Sequence, residues 1–226
     1  SEPNAHPLNH EEEPGGEADG PYVVAALNGD VDNHADLVVA HGLRIPGSIT
    51  TDAKVIPTLV SRRTRDTGDL VEGFRRTVAE FEGSVAIAAA SAEMPDKVLL
   101  ALRGSGQALY VGLGDDAFVV ASEPYGVVEE TSRYIRLDGE TPAHTDHPGS
   151  RGQVFVLDGS TAGELGGVRR LAYDGTDLPI DPRDVAVAQV TTRDIDRGDA
   201  PHFLLKEITE APDSLRKTLR GRIAEH

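Results

Sequence analysis

Four strand-like runs crowd into one stretch of the chain, at residues 84–91, 97–103, 107–112 and 117–122. Short turn signals separate them: Met94-Pro95-Asp96, Gly104-Ser105-Gly106 and Gly114-Asp115-Asp116. Glycine, proline and aspartate reverse a chain within a few residues, and strands joined so tightly pair antiparallel. This meander of hairpins commits the chain to an antiparallel β core, to which residues 133–137 add one more strand.

Helical patterns precede the meander. Residues 33–40 read as a short helix with Leu37 and Val38 inward and Gly42 as its stop. A second helix follows Thr51-Asp52, with Val55, Ile56, Leu59 and Val60 on one face and Asp52 available as its cap. Pro57 forfeits one internal hydrogen bond there, which predicts a kink or a short first turn. The third helix is the clearest: Asp69 caps it, Glu72 follows three residues on, and Leu70, Phe74, Val78 and Phe81 share a face. The expected class is therefore α+β.

Before these helices, the apolar run Tyr22-Val-Val-Ala-Ala-Leu27 reads as a buried strand that stops at Asn28-Gly29. Asn-Gly after a strand marks a tight turn, because glycine tolerates positive φ and asparagine nearly does. The same pair also suits an oxyanion hole, a side-chain amide beside a glycine N–H at a strand end. Both readings stand on the residues alone. Residues 1–20 are polar and acidic, with a Glu11-Glu12-Glu13 run, and read as a solvated, mobile loop. Residues 140–167 are rich in Gly, His and Ser around a single strand-like island, Val154-Phe-Val-Leu157. They read as an elaboration outside the core. Short strands are expected at 169–172 and 185–191. A helical segment begins at Phe203, where Pro212 suggests two helices.

The net charge of −16 and a pI near 4.8 argue against nucleic acid or an anionic membrane as partner, since phosphates would be repelled. No apolar run is long enough for a membrane span. The absence of cysteine rules out disulfides, thiolate catalysis by this chain and Cys-ligated zinc. It leaves the compartment open, with cytoplasm the default. Gly112-Leu-Gly114 is followed by a strand, not the helix that a dinucleotide loop needs. Asp30, Asp32 and Asp36 alternate like a calcium loop, but Ala35 and His41 stand where its glycine and closing glutamate belong. His144 and His147, and His6 and His10, read as solvated side chains rather than metal ligands. No metal or organic cofactor is expected.

In order and spacing, several segments resemble one family. Pro3-Asn-Ala-His-Pro7, Leu27-Asn-Gly-Asp-Val-Asp-Asn-His34, Thr51-Asp-Ala-Lys-Val-Ile56, Gly83-Ser-Val-Ala86, Arg103-Gly-Ser105 and the hairpin from Gly112 to Ser122 carry the likeness. Phe203-Leu-Leu-Lys-Glu-Ile208, Pro212, Leu215-Arg216 and Thr218-Leu-Arg-Gly-Arg222 extend it. The chain resembles the glutaminase domain (a class II amidotransferase) of the glutamine–fructose-6-phosphate aminotransferases, with residues 195–226 leading toward a sugar-isomerase domain.

The resemblance implies an N-terminal-nucleophile hydrolase-like αββα sandwich of antiparallel sheets, incomplete at its N-terminus. Residues 1–139 would form a partial glutaminase core and 140–194 a longer-than-usual elaboration. Asn28, through its side chain, and Gly29, through its N–H, would form the oxyanion hole. Asp52 would bind the α-amino group of glutamine, a carboxylate being the right partner for an ammonium in a closed pocket. The implied activity is release of ammonia from glutamine for glucosamine 6-phosphate synthesis in a parent protein. The implied partners are glutamine, an N-terminal segment with the nucleophile, and the sugar-isomerase domain; a homodimer stays open.

The departures are specific. The family's nucleophile is an N-terminal cysteine, which this chain lacks, so the chain alone is expected not to hydrolyse glutamine. Leu27 stands in place of a histidine and Lys54 in place of a glutamate. These keep open a rival reading, a non-catalytic glutaminase-like sensor or assembly module on a sugar-phosphate-binding partner.

Overall fold

In the computed structural model, which describes residues 2–15, 20–147, 150–188 and 197–223, ten strands form two sheets. The first has six strands in the order β1 (Leu8–Asn9), β2 (Val23–Val31), β3 (Gly83–Ser91), β4 (Lys97–Arg103), β8 (Gln153–Asp158) and β9 (Val168–Ala172). The second has four, in the order β10 (Ala186–Val187), β7 (Arg133–Arg136), β5 (Tyr110–Leu113) and β6 (Phe118–Ala121). Every pairing is antiparallel, as the tight turns require.

Side-chain alternation along the strands sorts the core into two layers. Val85, Ile87 and Ala89 of β3, Leu99 and Ala101 of β4, and Val154 and Val156 of β8 face one way. They meet helices α1 (His34–Ala40), α2 (Val55–Thr67) and α3 (Leu70–Ala79) through Leu37, Ile56, Leu59, Phe74 and Val78. The intervening residues, Ala86, Leu100, Leu102, Phe155 and Leu157, face the second sheet through Val111, Leu113 and Ile135. Strands buried on both faces read as continuous apolar runs, which is how β4 and β8 look in the sequence. Among the described residues, the α-helices of this unit all contribute to the first of these layers and none to the second.

Local signals account for the helix ends. Gly42, at φ +57°, stops α1, and the Leu43 N–H returns to the Val38 carbonyl. Asp69 Oδ1 accepts the N–H groups of Val71 and Glu72 at 2.8 and 3.1 Å. Glu72 does not return the bond but pairs with Arg75 and Arg76. Asp69→Ala should lower unfolding stability by about 1 kcal/mol in a urea titration. Pro57 causes no break, because it is the third residue of α2, where the N–H has no intrahelical acceptor.

Three expectations are corrected. Residues 140–167 are not outside the core: β8 lies inside the six-stranded sheet, and Val154 and Phe155 are fully buried. Residues 1–20 do not form a solvated loop where they are described. Asn4 exchanges two hydrogen bonds with Thr50, β1 pairs with β2, and the Glu12 carboxylate is buried against Arg62 at 2.7 Å. A charged residue enters the interior only with such a partner, and the glutamate run alone does not reveal it. The third correction concerns the C-terminal unit, residues 190–226. Among its described residues it carries one helix, α4 (Phe203–Ile223), which continues through Pro212. The strand expected at 185–191 is seen as β10, and its last residues lie outside the described residues.

Candidate functional site

Asn28 and Gly29 do not form a turn. Strand β2 continues through them to Val31, with Asn28 opposite Ala86 and Gly29 opposite Val85 on β3. The apolar run ends because one face of the strand loses its cover, not because the chain reverses. Val23, Ala25 and Val31 stay in the helix-side core, while Asn28 and Asp30 on the alternate face are exposed.

Gly29 is required by its backbone. Its φ is +120°, and a Cβ there would lie 2.0 Å from the Ser84 carbonyl oxygen of the neighbouring strand. Glycine thus permits β2 and β3 to stay paired across a distortion, as Asp30 opposite Ser84 shows.

The backbone N–H groups of β2 also alternate between its two sides. The N–H of Asp32 goes inward to the Glu82 carbonyl. Those of Val23, Leu27 and Val31 go outward, to His10 Nδ1 at 3.4 Å, His6 Nδ1 at 3.4 Å and Asp52 Oδ2 at 2.7 Å. By the same alternation the Gly29 N–H points to this outer edge. Strand β1 covers the edge only opposite Val24 and Ala25. Among the described residues, the Asn28 amide has no hydrogen-bond partner at all. A side-chain amide and a backbone N–H therefore meet where the edge of β2 joins its exposed face.

Asp52 stands on the same edge. It does not cap α2; Thr51 Oγ1 accepts the Ala53 N–H instead, at 3.4 Å, and opens a 3-10 turn at Asp52–Lys54. The Asp52 side chain is thereby freed to reach back to β2. Two residues of strand separate Gly29 from Val31, about 7 Å. That span is comparable with the one between the amide and α-amino groups of an extended glutamine. The structure thus brings Asn28, Gly29 and Asp52 to one edge.

Three side chains at this edge have a placement that the sequence did not reveal. His6 and His10 are hydrogen-bond acceptors for β2; His6 is exposed, and His10 is partly buried. For His10, accepting through Nδ1 requires that nitrogen to be unprotonated, and burial lowers its pKa in the same direction. Lys54 is fully buried, and its Nζ donates to Asn9 O at 2.6 Å and Asn9 Oδ1 at 3.1 Å. Burial pushes its pKa down, against the pull of Glu11 and Glu12. Its placement fastens β1 to the turn that carries Asp52. His144 and His147 are exposed in another part of the unit, where His144 Nε2 meets Thr176 Oγ1 at 3.0 Å.

No family model matches the chain. It is 28% identical over 228 residues to the glutamine–fructose-6-phosphate aminotransferase (isomerizing) of Pseudomonas syringae pv. tomato, covering all of this chain and 32% of that protein. It is 32% identical over 175 residues to the enzyme of the same name from Leifsonia xyli subsp. xyli, covering 77% of this chain and 25% of that one. A solved structure described as the allosteric regulatory enzyme of purine biosynthesis aligns over 75% of this chain and 31% of its own. Its TM-score is 0.49 at 21% identity. No helix among the described residues is long and apolar enough to cross a membrane. The chain is a homologue of the glutamine–fructose-6-phosphate aminotransferases, matching their amidotransferase part and spanning about a third of the length of the relatives it matches.

Proposed function

We propose that this chain contributes the glutamine-binding and oxyanion-stabilising part of a glutaminase, within a protein that makes glucosamine 6-phosphate from glutamine and fructose 6-phosphate. The observation that carries the reading is the open edge of β2. An unpartnered amide (Asn28), an outward N–H (Gly29) and an anchored carboxylate (Asp52) are placed there with the spacing of one glutamine.

In this reading a nucleophile attacks the side-chain carbonyl of glutamine, and negative charge gathers on its oxygen. Donors fixed in advance at that position stabilise the charge without reorganisation. The Asp52 carboxylate, held by the Val31 N–H, receives the α-ammonium. Ammonia leaves, and the acyl group remains on the nucleophile until water releases it. This chain has no cysteine, so a thiol nucleophile would come from outside these 226 residues. The relatives' additional length leaves room for that segment and for the sugar-converting domain. Helix α4, with Phe203, Leu204 and Ile208 exposed, suits a connection to that domain.

The test is glutamine consumption and ammonia release by the complete protein. Asp52→Ala should raise the KM for glutamine by at least about tenfold, since the ammonium loses its charge partner, with a smaller effect on kcat. An unchanged KM would remove Asp52 from the site. Ammonia release by the 226-residue chain alone would show that a residue other than a cysteine serves as nucleophile.

A further inference from the structure

The cations of this chain gather at a place that the proposed reaction does not use. Five of its 22 lysines and arginines, namely Arg62, Arg63, Arg65, Arg75 and Arg76, line one cavity of about 620 Å³ between α2 and α3. In a chain with a net charge of −16, such a concentration runs against the average surface.

Four carboxylates orient these guanidinium groups. Glu12 holds Arg62 at 2.7 Å, Glu80 holds Arg63 at 2.7 Å, and Asp66 holds Arg65 at 2.8 Å. Glu72 holds both Arg75, at 2.8 Å, and Arg76, at 2.5 Å, which pulls its pKa down to about 2. Only two of these carboxylates, Asp66 and Glu80, line the cavity itself, against five arginines, so its wall is predominantly positive. Arg62 and Arg75 are anchored at every nitrogen, Arg62 also by the His41 carbonyl at 2.7 Å and Arg75 by the Tyr173 carbonyl at 2.6 Å, so the donors left over belong to Arg63 and Arg76. Arg76 uses only Nε, and its two terminal nitrogens have no partner among the described residues. Arg63 Nη1 is buried without a partner, while Nη2 of the same guanidinium is held by Glu80.

We propose that this cavity binds a small phosphorylated metabolite, a diphosphate or a phosphate ester. Planar forks held in a fixed orientation match phosphate oxygens two at a time. The volume is that of a metabolite pocket. A longer polyanion is excluded, because the acidic surface beyond the cavity repels it.

The probe is pyrophosphate, titrated calorimetrically into the 226-residue chain at about 50 mM ionic strength, where screening is modest. The expected result is saturable one-to-one binding. It should weaken about tenfold in Arg76→Ala, whose side chain is 57% exposed and carries no packing role. Arg63→Lys, which keeps the charge and loses the fork, should weaken it too. Arg183→Ala, at an exposed arginine that does not line the cavity, should leave it unchanged. If Arg63→Lys fails to fold, the charge reversal Arg76→Glu carries the test and should abolish binding. No saturable heat up to about 5 mM, undiminished binding in both Arg76 variants, or equal loss in Arg183→Ala would overturn the assignment. Glutamine takes no part in the measurement, so its outcome is independent of the role of β2.

Discussion

If Asn28 is the proposed oxyanion donor, Asn28→Ala in the complete protein should lower glutamine turnover by on the order of 10²–10³ while the fold stays intact. The two halves of this prediction have separate grounds. Asn28 is exposed and has no hydrogen-bond partner among the described residues, so truncation deletes no packing and orphans no buried group. The stability change should stay under about 1 kcal/mol. The catalytic half follows from timing. Charge on the substrate oxygen exists in the transition state and not in bound glutamine, so kcat falls while KM changes little. Steady-state kinetics and a thermal melt on the same preparation check both halves. Near-normal turnover would refute the assignment, and so would an unfolded variant, which would return Asn28 to a purely structural role.

Phe155→Ala has the largest expected effect on stability, a loss of about 3–5 kcal/mol. Phe155 is fully buried on β8, opposite Leu100 of β4, and belongs to the core between the two sheets. Removing its ring leaves a cavity that the six-stranded sheet cannot close by shifting, because helices α1, α2 and α3 hold it from its other side. Equilibrium urea unfolding measures the loss. A change below about 1 kcal/mol would mean that residues 153–158 are peripheral after all, as their Gly- and His-rich surroundings suggest.

Period and punctuation made much of the fold legible. The limits 97–103 of β4 match the apolar run, and Asp69 announced α3 through its cap. What stayed hidden was longer in range. Val154-Phe-Val-Leu157 is a strong strand signal, but nothing local says that its neighbour is β4 rather than the preceding hairpin. The burial of Glu12 and Lys54 depends on partners at Arg62 and Asn9, some fifty residues away in the chain, and charge on its own points to solvent.

The setting of the proposed site residues was misread. Asn28, Gly29 and Asp52 lie along one edge of β2, and Asn-Gly sits within the strand rather than at a turn. The glycine answers a close cross-strand approach rather than a reversal, two needs that look alike in sequence because both call for positive φ. The role of Asp52 was likewise disguised. Threonine and aspartate both cap helices, and the one that does not cap is the one free to reach the neighbouring strand.

The adjacency of β4 and β8 also bears on how fast the chain can find its fold. These strands lie side by side, yet all of β5, β6 and β7 intervenes between them along the chain. Their pairing must close a loop of about fifty residues, an entropic cost met before any of the contacts that reward it. The β3–β4 and β8–β9 hairpins form locally, but they can be joined only once the intervening segment is out of the way or already in place. The β2–β3 pairing spans a similar length, with α1, α2 and α3 between the strands, so refolding should be limited by long-range docking steps of this kind, which place the domain among slow, high-contact-order folders. The delay also leaves the facing edges of β4 and β8 unpaired, and another chain could then take either of them.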